Sequence, residues 1–262
     1  MSKVKFTQTL KDEYVHLFNH CRIAGDKAGA VEQIIRQLEN NQPRYAQVAA
    51  LLNIPWYFIA VVHNMESSLN FDRHLHNGDP LSGRTIQVPA GHPKQGHPPF
   101  SWEDSAADAL KLRNLHRWTD WSVSALLYQL EGYNGWGYRL YHSHVLSPYL
   151  WSFSNHYTSG KYVADGTWSD SAISKQCGAA VILRRMLEMK IIEIEEERIV
   201  ADAELPLVYY SPDGKTEYGE KLQQFLNQFP GVFLKEDGWP GEKTSNAFKE
   251  VTGYYLHGDP RA

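Results

Sequence analysis

Apolar residues recur at helical spacing along most of the first 190 residues, and this pattern predicts a mainly helical fold. Stretches rich in glycine, proline and asparagine separate the helices and mark the turns. Arg84 to Val88 reads as a short strand and predicts a small β-hairpin. The expected helices cover residues 7–40 (two helices), 44–52, 54–71, 101–115 and 122–131, and a last helix begins at Trp168 and Ser169.

Residues 54–71 form the most apolar of these stretches, and they predict a buried helix around which the others pack. Asn53 is suited to cap its start, and Pro55 fits the first turn, where a missing N–H costs nothing. Glu66 falls in the last turn, on the same face as Ile59 and Val62. The helix therefore carries a carboxylate out of the core at its end.

Two effects at this position disfavour the charged form of Glu66. Apolar neighbours desolvate the carboxylate, and the C-terminal end of a helix carries a partial negative charge. Both raise the pKa, as a general acid that works near neutral pH requires. The structural alternative is an ordinary solvated glutamate at the end of a helix.

Two segments resemble the lysozyme-like superfamily, which includes goose-type lysozymes and soluble lytic transglycosylases. In that superfamily an apolar helix ends in a catalytic Glu followed by Ser, as Glu66-Ser67 does here. Gly132-Tyr133-Asn134-Gly135 is similar to the Ala-Tyr-Asn-x-Gly segment that lines the sugar cleft, with Gly132 replacing the Ala. The resemblance implies a lysozyme-like helical domain with a small β-hairpin at the cleft. It also implies that Glu66 is catalytic.

Asp79 and Thr85 are the candidates for the opposite side of the cleft. Phage-type lysozymes place an Asp six positions before a Thr across from the glutamate, and Asp79 and Thr85 have the same spacing. The resemblance thus implies that Asp79, helped by Thr85, positions water in an inverting hydrolysis. The turn formers around Asp79 also suit a purely structural Asx-turn. Asp72 competes for the role, but it lies too near the end of the helix.

A lytic transglycosylase is the alternative reaction on the same bond. There the glutamate alone serves as acid and then as base, and the 6-hydroxyl of the sugar attacks. The Gly-Leu-Met-Gln type of segment found in that group is missing after Glu66-Ser67. This difference favours hydrolysis.

Aromatic residues are dense from Trp102 to Trp168, and most of them are expected to pack in the core. Tyr133, Trp136 and Tyr138 lie in a glycine-rich stretch, so they are the best candidates to contact sugar rings. Asn134 is suited to bind an acetamido group. With Ser67, these residues make up the predicted substrate-binding set.

Composition and charge narrow the remaining function classes. The formal net charge is −4 and no basic cluster stands out, which argues against a nucleic-acid partner. No apolar run is long enough to cross a membrane, and the first residues lack a signal-peptide core. Cys21 and Cys177 are expected to be buried thiols, with one disulfide as the alternative.

Twelve histidines raise the question of a metal site, whose functional form would be a metal-dependent peptidoglycan amidase. The closest pairs are His74-x-His76 and His142-x-His144. Neither pair has a strong zinc-binding spacing, so neither a metal site nor any other cofactor is predicted.

A second domain is expected after an acidic block, residues 191–204, which holds six acidic residues and one arginine. The tail resembles the small three-helix peptidoglycan-binding domain that accompanies many wall hydrolases. The matching residues are Leu222-Gln223, Leu226-Asn227, Asp237-Gly238, Gly241, Thr244 and Ala247-Phe248. The predicted organisation is a catalytic domain at 1–192, a linker at 193–204 and a wall-binding domain at 205–262. A generic helical hairpin is the alternative for the tail.

The two resemblances are independent and point to one substrate. They predict a muramidase-type glycosidase of bacterial peptidoglycan that acts as a monomer, made in the cytoplasm and reaching the wall after release or by non-classical export. The rivals are a chitinase or chitosanase and a wall- or glycan-binding protein without activity.

Overall fold

The computed structural model describes residues 4–164, 166–194 and 208–262. The chain divides into two compact units, Met1–Glu197 and Arg198–Ala262. Most of the predicted linker, from residue 195 to 204, lies outside the described residues, as does the start of the predicted second domain at 205–207.

The first unit is mainly helical and carries a small two-stranded antiparallel sheet, so the predicted fold class is confirmed. Its helices are α1 (Gln8–Asn19), α2 (Ala28–Asn40), α3 (Gln42–Leu52), α4 (Trp56–Ser67), α5 (Trp102–Leu112), α6 (Val123–Asn134), α7 (Gly137–Tyr141), α8 (Pro148–Trp151) and α9 (Ala179–Glu188). Short 3₁₀ turns cover Gly25–Lys27 and Leu115–Arg117, and the strands are β1 (Lys161–Ala164) and β2 (Thr167–Ser169).

Helix α4 is buried on nearly all sides, as its apolar sequence predicts. It contacts α2, α3 and α9, and its central residues Ala60, Val61 and Val62 are fully buried. The prediction that Asn53 caps this helix was wrong. Asn53 has a left-handed backbone and ends α3, while Pro55 stands at the N-cap position of α4.

The prediction of a strand at Arg84 to Val88 was also wrong. Among the described residues this segment pairs with no strand, and the side chains of Ile86 and Val88 are 84% and 89% exposed. Side-chain to backbone hydrogen bonds shape the segment instead, because the Asp79 carboxylate accepts from the N–H groups of Ile86 and Gln87.

The hairpin lies further along the chain, where the sequence predicted the start of the last helix. Tyr162 of β1 pairs with Trp168 of β2, and their rings meet edge to face with centroids 5.3 Å apart. The cross-strand aromatic pair favours the hairpin over a helix start at Trp168. The last helix of the unit therefore begins later, at Ala179.

A buried ionic network joins α1, α6 and α7. Glu131 is 3% exposed, and it accepts hydrogen bonds from the Tyr14 hydroxyl and from Arg139 Nη2, the latter at 2.9 Å. Arg139 also pairs with Glu13 at 3.0 Å. Every charged group in this network has a partner. Because the network joins α6 to α7, it fixes the turn between these helices, and this turn carries the predicted sugar contacts.

The second unit contains α10 (Gly219–Leu226) and α11 (Glu242–Thr252). Three helices were expected, and residues 208–262 hold two α-helices. The core consists of Leu226, Val232 and Ala247.

Four of the residues that carry the resemblance, Gln223, Asp237, Gly238 and Thr244, meet in one largely buried hydrogen-bond cluster. Gln223 Oε1 accepts from the N–H groups of Asp237 and Gly238, while its Nε2 donates to Asp237 Oδ1 and Thr244 Oγ1. The signature positions therefore stabilise the fold of this unit. Phe225 of α10 is 49% exposed.

Cys21 and Cys177 are buried free thiols, as predicted. No single helix in the described ranges is long and apolar enough to cross a membrane, although α3 and α4 together meet that criterion with a 116° bend between them.

Candidate active site

Glu66 stands in the last turn of α4, as expected, and its side chain is partly buried. Burial raises the pKa of the Glu66 carboxyl above its ordinary value. A hydrogen bond from Tyr149 and the charge of Arg113 offset part of this rise. The group thus has an environment in which the protonated form persists to a higher pH than in water.

Two tyrosines and an arginine surround this carboxyl. The Tyr149 hydroxyl donates to Glu66 Oε1 at 2.8 Å. Tyr133 is 7% exposed, and the Arg113 guanidinium lies 3.6 Å from the centre of its ring. Burial raises the pKa of both tyrosines, and the charge of Glu66 raises it further, so both stay protonated donors.

The end of α4 is held by contacts around Glu66. Gln176 Nε2 donates to the carbonyl of Met65 at 2.9 Å. Ser67 is buried, and its hydroxyl donates to the carbonyl of His63 at 3.2 Å. Ser68 then adopts a left-handed backbone that ends the helix. Ser67, a predicted substrate contact, thus has a structural partner within its own helix.

An open cleft of about 610 Å³ adjoins this end of the helix. Three of the predicted substrate contacts, Asn134, Trp136 and Tyr138, line it. Tyr149 and Gln176 line it as well, so the residues that contact the end of α4 also form part of the cleft. The remaining lining side chains include Leu140, Tyr141, Pro148, Lys161, Tyr162 and Ser174.

Of the predicted cleft aromatics, Trp136 and Tyr138 are largely buried and form part of its wall, while Tyr133 lies near Glu66 and does not line the cleft. Trp136 packs on Tyr128 with ring centroids 5.0 Å apart. A Cβ atom at Gly132 would lie 3.1 Å from the Trp136 ring, so glycine in place of alanine gives the indole its room. The Tyr138 hydroxyl accepts from the N–H of Tyr162 at 3.3 Å. Asn134, in contrast, is exposed.

Asp79 and Thr85 lie together in the loop between α4 and α5, and their hydrogen bonds stay within that loop. The Asp79 carboxylate accepts from the backbone of Ile86 at 2.8 Å and of Gln87 at 3.0 Å. These N–H groups hold the pKa of Asp79 below its ordinary value. The Thr85 hydroxyl donates to the carbonyl of Pro89 and accepts from the N–H of His92.

The structure therefore brings together Glu66, Tyr133 and the cleft residues, while Asp79 and Thr85 have their contacts in a separate loop. The sequence reasoning did not identify Tyr149, Arg113 or Gln176 as partners of this site. Tyr149 belonged to a long aromatic-rich segment without a spacing that set it apart. Arg113 and Gln176 are polar residues in stretches without a recognisable motif.

No protein-family model matches this chain, and neither does any curated protein or solved structure compared with it.

Proposed function

We propose that this protein cleaves the glycan strand of bacterial peptidoglycan as a muramidase-type glycosidase, with Glu66 as the general acid. One observation carries the proposal. A partly buried carboxyl with a raised pKa receives a hydrogen bond from Tyr149, and the same tyrosine lines an aromatic cleft. Raised carboxyl pKa values beside a cleft are typical of glycosidase acids.

The hydrogen bond defines where the proton of the acid resides. Tyr149 occupies Oε1 of Glu66 as a donor, so a protonated Glu66 carries its hydrogen on Oε2. As the general acid, Glu66 would pass this proton to the oxygen of a glycosidic bond bound in the cleft that Tyr149 lines. After transfer, the Tyr149 hydrogen bond and the charge of Arg113 stabilise the carboxylate that remains.

The cleft supports a sugar ligand. Its wall presents Trp136, Tyr138 and Tyr141, whose rings suit the apolar faces of sugars. Asn134 and Gln176 add amide groups that bind hydroxyl and acetamido groups. Apolar walls with a few polar side chains are the usual make-up of a small-molecule site.

A lytic transglycosylase is the second candidate, and the contacts of Asp79 favour it. In the hydrolytic form that the resemblance implies, Asp79 would hold the attacking water, with help from Thr85. The Asp79 carboxylate already accepts hydrogen bonds from two backbone N–H groups, and the Thr85 hydroxyl already donates one hydrogen bond and accepts another. A mechanism in which Glu66 acts alone needs neither of them.

The tail unit is proposed to hold the protein on the wall. The support is the sequence signature whose residues Gln223, Asp237 and Thr244 form the buried cluster of that unit. The rival from another class is a wall-binding protein that does not cut its ligand. Binding by itself is common to both functions, so turnover is the property that separates them.

The test is mass spectrometry of purified peptidoglycan after incubation with the wild type, with Glu66→Gln and with Glu39→Gln. Glu39 is exposed on α2 and serves as the matched control. We expect new muropeptides from the wild type and from Glu39→Gln but not from Glu66→Gln. Products with a reducing end identify a hydrolase, and anhydro products identify the transglycosylase. No products from the wild type would contradict both and leave the binding protein.

A further inference from the structure

Three potential metal ligands meet beside α5, away from the Glu66 carboxyl and its partners. His76 Nε2 lies 2.9 Å from Asp108 Oδ2, and His92 Nδ1 lies 2.7 Å from the same oxygen. All three ligand atoms lie within 4.8 Å of one another. His76 and His92 belong to the loop after α4, while Asp108 is on α5, so residues distant in sequence converge on one point.

The donor set matches a known class of ion. Two imidazole nitrogens and one carboxylate oxygen suit Zn²⁺ and related divalent transition metals. Zn²⁺ holds such ligands at about 2.0–2.2 Å, which places ligand atoms roughly 3–3.5 Å from each other. The two separations from Asp108 Oδ2, 2.9 and 2.7 Å, are slightly shorter than this range, and all three atoms lie within 4.8 Å of one another, so an ion requires the ligands to move apart from Asp108 by less than an ångström.

The burial of the cluster supports a structural ion. The side chain of His76 is fully buried, and those of His92 and Asp108 are 11% and 26% exposed. His76 Nδ1 is buried without a hydrogen-bond partner among the described residues. If the proton of His76 moves to this free nitrogen, Nε2 presents its lone pair to a metal and the ring stays neutral.

The surrounding backbone holds the ligands in place. Thr85 and His92 exchange two hydrogen bonds, one from the N–H of Thr85 to the carbonyl of His92 and one from the N–H of His92 to Thr85 Oγ1. The neighbouring His74 bonds Ser105 of α5 and the carbonyl of Gly83. The bond from His74 to Ser105 therefore fixes the loop to α5, while the Thr85–His92 pair holds the shape of the loop beside the cluster. Such supporting contacts are a common property of metal sites.

We propose that His76, His92 and Asp108 form a binding site for a divalent transition metal ion of the Zn²⁺ type, which fastens the loop of residues 72–100 to α5. Water takes the remaining coordination position on the side of Asp108, the most exposed of the three. This proposal differs from the expectation from sequence, in which the histidine spacings hold no metal. In the pair His74-x-His76, only His76 is a ligand, while His74 makes structural hydrogen bonds. The second histidine ligand, His92, lies sixteen residues further along the chain.

The proposal is independent of the proposed glycosidase activity, because it rests on a different part of the molecule and is measured by metal binding. The ion would fix the loop that carries Asp79 and Thr85. It would also hold α5, whose C-cap residue is Arg113, the cation over Tyr133.

The test is isothermal titration of the metal-stripped full chain with Zn²⁺, together with visible absorption after addition of Co²⁺. Three variants remove a ligand but keep its hydrogen-bonding group: His76→Gln replaces Nε2, His92→Asn replaces Nδ1 and Asp108→Asn keeps one oxygen. His97→Ala is the control, because His97 is an exposed histidine of the same loop. Circular dichroism verifies that each variant is folded.

We expect one equivalent of Zn²⁺ per chain in the wild type and in His97→Ala, with a tetrahedral Co²⁺ spectrum. Each of the three ligand variants should bind at least ~10-fold more weakly. No stoichiometric binding by the folded wild type would overturn the proposal. Equal binding by the wild type and the three ligand variants would do so too, since the ion would then lie elsewhere.

Hydrogen exchange gives a second measurement, which reports on the loop rather than on binding. Zn²⁺ should slow exchange in residues 72–100 of the wild type and leave that loop unchanged in His92→Asn. Unchanged exchange in this loop on addition of saturating Zn²⁺ to the wild type would contradict the fastening role.

Discussion

Glu66 and Asp79 are two carboxyl groups in neighbouring segments, and the fold shifts their pKa values in opposite directions. Glu66 meets buried surroundings and one side-chain donor, Tyr149, and its pKa is raised. Asp79 meets two backbone N–H groups, and its pKa is lowered. The first environment favours the protonated carboxyl, while the second favours the charged carboxylate, which accepts hydrogen bonds from the backbone of its loop. Nearness in sequence to a proposed catalytic group is therefore weak support for a catalytic role of a second carboxyl.

The largest expected effect is a difference in the rate of peptidoglycan cleavage between variants of the two carboxyls. Glu66→Gln should lower peptidoglycan cleavage by at least ~10²-fold, because it removes the proton donor. Asp79→Asn should lower it by less than ~10-fold, since the loop retains an acceptor and the acid is intact. Both are measured as initial rates of muropeptide release. A complete loss in a folded Asp79→Asn variant would break the comparison and make Asp79 the residue that holds the water.

The next effect is on stability. Asp79→Ala leaves the N–H groups of Ile86 and Gln87 without their acceptor, so we expect a thermal midpoint several degrees lower and faster proteolysis of the loop. Asp72→Ala is the matched control, because Asp72 is exposed at the start of the same loop. Equal midpoints for the two variants would show that Asp79 does not anchor the loop.

The sequence predicted most of the helices correctly but misplaced the hairpin. The helices with strong apolar periodicity were predicted, including α4 and the position of Glu66 in its last turn. Burial along a helix follows from local spacing, so the raised pKa of Glu66 followed as well. The hairpin was misplaced because Ile86 and Val88 read as strand residues, although side-chain hydrogen bonds from elsewhere in the loop set their backbone.

The partners of the site lay beyond sequence reasoning for a different reason. Tyr149 is 83 residues from Glu66 and Asp108 is 32 residues from His76, so only the packing of helices brings them together. Local patterns carry no information about such pairs. The residues missed at both sites are therefore those supplied by a second element.

A smaller effect concerns stability as a function of pH. The folded pKa of Glu66 is raised, so its ionisation destabilises the fold as pH rises past the ordinary carboxyl pKa. The folded pKa of Asp79 is lowered, so its stabilisation is present above the ordinary pKa and is lost as pH falls through the folded value. At neutral pH, Glu66→Gln should thus be more stable than the wild type and Asp79→Asn less stable.

These differences are measured as thermal midpoints across an acidic to neutral pH series. Both should shrink towards low pH, where the carboxyls are protonated in the folded and unfolded states alike. A change of the same sign in the two variants at neutral pH would show that the two environments do not differ as described.

The smallest effect sharpens the role of Tyr149. Tyr149→Phe removes the donor that stabilises the ionised form of Glu66, so the pKa of the carboxyl should rise further. The acid then stays protonated to higher pH, so the alkaline limb of the pH–rate profile should shift to higher pH. The maximal rate should fall by about 10-fold or less, as expected for the loss of one hydrogen bond. Tyr141→Phe is the control, because Tyr141 lines the cleft and is 74% exposed. An alkaline limb that stays in place in Tyr149→Phe would mean that a group other than Glu66 supplies the proton, and the contrast with Asp79 would then concern structure alone.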